Sequence, residues 1–301
     1  MAGGADSVKT ILYALGANSA IALAKSAAAF FTGSSAMLAE AIHSFADAGN
    51  QGLLLWGLRQ AKRPPSPEYP LGWGKAVFFW SFIVALVLFI LGGAFSLYEG
   101  WHKLSHPEPL SFPWVAVGVL VFGLAAEFVS LRACLHEVAK VRQGRSLWRW
   151  FRESRQSELV VILGEDLAAL FGLALALVAI LLAIATGDPF WDGLGSMAIG
   201  AVLIIVAALI AIEIKGLLIG QSADPQVERA MRAFLEARPD VEKIYRLLTL
   251  QLGTSLMVSV KIRMKAQTAV ELVEVINRAE LAMRAEFAEI QWLFFEPDVS
   301  D

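Results

Sequence analysis

Up to about residue 219 the chain alternates long apolar stretches with short polar ones, and then its pattern changes. Six apolar runs, about 8–32, 36–58, 76–98, 112–135, 157–186 and 190–218, each reach the roughly 20 residues that a helix needs to cross a bilayer. The segments between them differ in charge. Thr32-Gly33-Ser34-Ser35 is an uncharged turn, whereas the next connection carries Arg59, Lys62, Arg63 and Lys75 among four prolines at 64, 65, 67 and 70. The third connection holds His102 and His106 with one lysine, the fourth is basic from Lys140 through Arg142, Arg145, Arg149 and Arg152 to Arg155, and the fifth is acidic, with Asp188 and Asp192. Basic connections alternate with neutral or acidic ones, which puts both termini on the cytoplasmic side of a six-helix, multi-pass protein.

After Gly220 charged residues become frequent and apolar ones periodic. Asp224-Pro225 reads as an N-cap followed by a first-turn proline, opening a helix to about Ala237. Leu248, Leu250 and Leu252, then Val258, Val260, Ile262 and Met264, alternate with polar residues on either side of Gly253, the pattern of an antiparallel hairpin with one wet face. Thr268-Ala-Val-Glu271 is a capping box, followed by helical spacing from Val273 to Phe287, and a short strand spans 291–295. The order αββαβ predicts a small α+β ferredoxin-like sandwich. The expected organisation is an all-α membrane domain over 1–219 and a cytoplasmic domain over 220–301.

Composition narrows the function. The 301 residues are 57% hydrophobic with a mean hydropathy of +0.59, which marks an integral membrane protein, and a net charge of -3 gives no reason to expect nucleic acid. The single cysteine, Cys134, excludes an intrachain disulfide and any multi-cysteine metal site. The first residues lack the basic start of a cleavable signal, so the first apolar run is read as a retained helix.

Against this apolar background a few polar groups stand out. Glu40, His43, Asp47 and Asn50/Gln51 fall on one face of the second predicted helix, because positions three and four apart are neighbours. An imidazole and a carboxylate one turn apart can reach one divalent cation, and ionisable groups inside a span mark ion or proton paths. The plainer alternative for such a stripe is hydrogen bonding between helices. Glu165-Asp166 deep in the fifth run weighs against it, since each carboxylate costs several kcal/mol if unpaired there. Glu158 lies two turns earlier on roughly the same face, nearer the cytoplasm. Together these residues supply the N and O ligands of a divalent site. Lys25 pairing with Glu127, and Asn18 bonding to a neighbouring helix, are read as structural.

The stretch Gly33-Ser-Ser-Ala-Met-Leu-Ala-Glu-Ala-Ile-His43-Ser-Phe-Ala-Asp47 resembles the second-helix signature of the cation diffusion facilitator family of metal transporters. Tyr69-Pro-Leu-Gly-Trp-Gly-Lys75 resembles that family's entry to the third helix. Glu165-Asp166, Asp188-Pro-Phe-Trp-Asp192 and Gly220-Gln-Ser-Ala-Asp224 are similar to the branch containing the mitochondrial-type zinc exporters of animals. The resemblance implies a homodimer in the cell (inner) membrane that exports zinc or a related divalent cation by alternating access, protons moving the other way. It implies no enzyme activity and no cofactor beyond the transported ion.

The ligands it implies are His43, Asp47 and Asp166, with Glu165 as helper, Glu40 and Glu158 on the proton or entry path, and Asn50 and Gln51 as polar support between helices. Two departures from the family pattern stand out. Ile162 occupies a ligand position of the fifth helix; Glu165 is expected either to bend in as the fourth ligand, aided by a π-bulge near Gly164, or to stay beside the metal and carry the exchanged proton. Tyr69 and Trp73 replace loop histidines, so an accessory site is not expected. The last 82 residues contain no histidine or cysteine, which predicts a dimerisation module without a high-affinity zinc site. Manganese, iron or cobalt remain open as cargo, since oxygen-rich sites accept them. An intramembrane metalloenzyme would need a motif such as His-Glu-x-x-His, and a sensor would need a metal-binding soluble domain; neither is visible.

Overall fold

A computed structural model describes residues 3–32, 35–107 and 112–300, and within them all side chains except those of residues 3–7, 28, 29, 32 and 35–43. The first part is helical: α1 (Gly3–Thr32), α2 (Ser35–Ala61), α3 (Ala76–Val87), a π-helical turn (Leu88–Ala94), α4 (Phe95–Ser105), α5 (Pro113–Val141), α6 (Leu147–Glu153), α7 (Ser157–Thr186) and α8 (Phe190–Ile219). Among the described residues four helical stretches are long and apolar enough to cross a membrane: 76–105, which runs through the π turn, 113–141, 157–186 and 190–219. Their outer faces expose Phe79, Phe128, Phe171, Ile205 and Ile212, side chains suited to lipid rather than water.

The π-bulge expected near Gly164 is absent, and a π-helical turn stands on the third run instead. α7 is regular throughout, while Leu88–Ala94 widens around Gly92-Gly93. The physical reason is packing against α8. A Cβ on Gly200 would lie 2.7 Å from the Leu97 amide nitrogen and 2.8 Å from the Gly93 carbonyl oxygen, so the two helices meet backbone to backbone, as small residues allow inside membranes.

α7 lies at the centre of the bundle, packed on α1, α3, α5 and α8. Every residue from Ser157 to Asp166 is buried, whereas the second half of the helix is largely open. The carboxylates of α7 therefore sit where the bundle is tightest.

The second part begins with α9 (Pro225–Glu236), capped by Asp224, whose side chain accepts from the Gln226 amide. β1 (Val241–Leu252) and β2 (Ser255–Met264) form an antiparallel hairpin, and α10 (Ala269–Glu286) crosses to β3 (Ile290–Pro297), which pairs parallel to β2 in the order β1-β2-β3. Thr268 caps α10 through the Glu271 amide, and Glu271 reaches back to the Gln267 amide, one residue earlier than the usual capping box. Leu256, Val258, Val260 and Ile262 of β2 pack with Met231 and Leu235 of α9 and Val275, Ala279 and Met283 of α10 into a separate core.

An arginine-rich joint ties the two parts together. Arg145 donates to Asp224 Oδ2 at 2.7 Å and to Glu153 Oε2 at 3.4 Å. Arg155, just ahead of α7, donates to the Ser222 carbonyl at 2.6 Å and the Ala223 carbonyl at 3.3 Å, and Arg152 pairs with Glu213 of α8. The hairpin turn closes the other side of the joint: Gly253, at φ +67°, abuts Gly74 so closely that a Cβ there would meet the Gly74 carbonyl oxygen at 2.5 Å.

Candidate metal centre

Charged and amide side chains inside an apolar bundle have to find partners, and here they find each other. Glu165 is buried on α7 and accepts from two amides of α2: Asn50 Nδ2 at 3.0 Å from Oε1 and Gln51 Nε2 at 2.8 Å from Oε2. Gln51 in turn accepts from Asn18 Nδ2 of α1 at 3.3 Å. Asp166 faces another way. Its two oxygens accept from Ser130 Oγ of α5 at 3.2 and 3.1 Å. Neighbouring residues on a helix point about 100° apart, so Glu165 addresses α2 while Asp166 addresses α5.

The cluster is wider than the pair. Asp47, half-buried on α2, and Glu127, buried on α5, lie within Coulombic reach of Glu165, and Glu127 within reach of Asp166 and of Lys25 on α1. Four acids from α2, α5 and α7 thus share one low-dielectric region with one lysine. Glu158 is also buried on α7, two turns nearer the joint. Glu40 and His43 belong to α2, but their side chains lie outside the described residues. Among the described residues, no three His, Cys, Asp or Glu side chains are close enough to hold one ion.

Ser130 is the site residue that sequence reasoning missed. Its signal was available, because Glu127 and Ser130 are three apart and share a face of a helix that is apolar from Pro113 to Ala126. Where loop histidines were looked for, Tyr69 and Trp73 pack against each other with centroids 4.0 Å apart and planes tilted by 39°, and the Arg63 guanidinium lies 5.3 Å from the Trp73 ring.

The geometry describes what this pocket can do. Asn50, Gln51 and Ser130 are neutral donors, which fix the carboxylates without cancelling their charge. Carboxylate oxygens held by such donors keep lone pairs that could serve a cation. Comparison with known proteins agrees. A family model described as the cation efflux transmembrane domain matches residues 11–219. The chain is 32% identical over 261 residues to the proton-coupled zinc antiporter SLC30A9, mitochondrial, of Mus musculus, a match covering 86% of this chain and 45% of the relative. The Xenopus laevis protein of the same name is 34% identical over 239 residues, covering 79% of this chain and 42% of the relative. Metal tolerance protein C4 of Arabidopsis thaliana is 30% identical over 211 residues, covering 69% and 46%. The chain thus spans somewhat under half the length of these curated relatives. With four apolar helices among its described residues and a buried acidic cluster, the chain is a multi-pass membrane protein of the cation efflux, or cation diffusion facilitator, family, in the branch of the animal mitochondrial-type zinc antiporters.

Proposed function

We propose that this protein exports divalent transition-metal cations, zinc foremost, in exchange for protons, working as a homodimer by alternating access. The observation that carries the reading is the buried acidic cluster around Glu165 and Asp166, anchored by neutral donors from two neighbouring helices. His43, Asp47 and Asp166 are the ligands, and Glu165 contributes a fourth oxygen from its mooring on Asn50 and Gln51, since each carboxylate oxygen keeps a lone pair beyond one hydrogen bond. Glu158 and Glu40 flank the path on its two sides. Proton exchange follows from the ligands, because imidazole and carboxylates shed protons to bind metal. α1 and α2 complete a set of six spans with both termini in the cytoplasm, in the cell (inner) membrane. Residues 220–301 form a ferredoxin-like dimerisation module below the 1–219 transport domain.

Zinc flux into proteoliposomes under a pH gradient tests this. The unsubstituted protein is expected to move zinc, and His43→Ala to fall to the level of empty liposomes with the dimer intact. His43→Asp should shift preference toward manganese by hardening the ligand set. Undiminished zinc flux in the alanine variant would sink the site.

A further inference from the structure

Two histidines stand apart from the acidic cluster, at the opposite end of the bundle from the soluble part. His102 and His106 lie one turn apart at the end of α4, both exposed, and their rings stack with centroids 5.0 Å apart and planes 25° from parallel. Tyr98, one turn earlier, stacks on His102 at 6.4 Å. α4 packs along the first half of α8, where Lys103 binds Asp192 at 3.0 Å. α8 then runs about 40 Å, at 1.5 Å per residue, before its far end meets the soluble part.

Histidines four apart can form a two-nitrogen clamp for zinc; here His102 sits in the last turn of α4, and His106 is the residue that ends it, at φ -134°. A magnitude decides whether these two rings fit one ion. With a zinc–nitrogen bond of about 2 Å and a ring nitrogen about 1.2 Å from its centroid, two imidazoles on a tetrahedral ion have centroids about 5 Å apart. The observed 5.0 Å is that separation, so chelation requires ring rotation with little displacement. The neighbouring ammonium does not oppose it, because Lys103 is engaged by Asp192 at 3.0 Å and Glu99 at 3.4 Å.

We infer that His102 and His106 form a second, surface site for a borderline divalent cation such as zinc or cobalt, with water completing its coordination. On the transport reading above, and only for its sidedness, this site faces the compartment into which metal is released. A cation leaving the acidic cluster would meet two imidazoles, which hold it weakly and give it up to solvent.

The test uses the full-length protein in nanodiscs of neutral lipid, with His43→Ala, Asp47→Ala, Glu165→Ala and Asp166→Ala together removing the four proposed intramembrane ligands. Calorimetric zinc titration is expected to show one zinc per chain in that background, weakened at least tenfold by His102→Asn or His106→Asn and abolished by both. No zinc uptake in the background, or uptake indifferent to both substitutions, would overturn the site. A second readout needs no substitution: zinc should protect His102 and His106 from diethyl pyrocarbonate, followed by mass spectrometry, and equal labelling with and without zinc would leave the rings as interfacial stacking only. Neither measurement involves flux, so the failure of this inference and that of the transport reading can be told apart.

Discussion

In the membrane bundle Glu165 and Asp166 take hydrogen bonds from Asn50, Gln51 and Ser130, whereas at the joint Glu153, Asp224 and Glu213 take theirs from Arg145, Arg149 and Arg152. Both regions give their acids hydrogen-bond donors of suitable geometry. They differ in charge balance. A guanidinium cancels the carboxylate it holds and leaves a closed structural pair. An amide or hydroxyl orients the carboxylate and leaves its charge in place. Acids of the first kind hold parts together; acids of the second kind are, on the proposed function, those left to meet a cation.

Converting one kind into the other gives the largest expected effect. Asn50→Lys puts an ammonium where the amide donates to Glu165, turning the pocket into a joint-like pair. Zinc binding by calorimetry is expected to weaken at least tenfold, about 1.4 kcal/mol or more, while the unfolding temperature holds or rises. Unchanged zinc affinity would mean that the charge of Glu165 does not draw the metal.

The reverse experiment acts on the joint. Arg145 is buried, with its side chain 5% exposed, and its removal strands Asp224 at the start of α9. Breaking such a pair costs about 3 kcal/mol. Arg145→Met should therefore lower the unfolding temperature by several degrees, read by tryptophan fluorescence, with zinc flux per folded molecule close to the unsubstituted level. A variant that keeps its stability but loses flux would make the joint part of the transport cycle.

This contrast also explains which features were legible in the sequence. Carboxylates in an apolar run are costly, so Glu165-Asp166 announced itself, as did the four spans found among the described residues. A serine in a membrane helix is cheap and says little, so Ser130 did not. Nor did the rotation of α7 about its axis, because Asp166 turns toward α5 only through that partner. α6 read as a charged loop, since Arg149 and Arg152 hide a helix that buries Trp150 and Phe151. The first half of β1 was missed for a different reason. Its pairing with β2 shifts register between Val241 and Lys243 and again between Ile244 and Arg246, and each shift breaks the alternation by which a strand is recognised.

The smallest expected effect concerns Glu153, an acid of the joint in contact with water. Its Oε1 accepts from Arg149 Nε at 2.9 Å, and Arg149 is 62% exposed at the side chain. The Arg149 hydrogen bond, followed by that from Arg145, holds the Glu153 carboxyl below its usual range. A depressed carboxylate stabilises the fold above its unfolded pKa of about 4.3, and that stabilisation is lost as pH falls through the lower folded value. Exposure and salt screen most of it. Glu153→Gln should therefore lower the unfolding temperature slightly at pH 7, less so in high salt, and the difference should vanish once the solution is acid enough to protonate Glu153 itself. The same titration on Arg145→Met should leave a deficit that high salt does not remove, because Arg145 is buried and the Asp224 it abandons is largely so. If both variants responded to salt alike, burial would not be what separates the strong pair of the joint from the weak one.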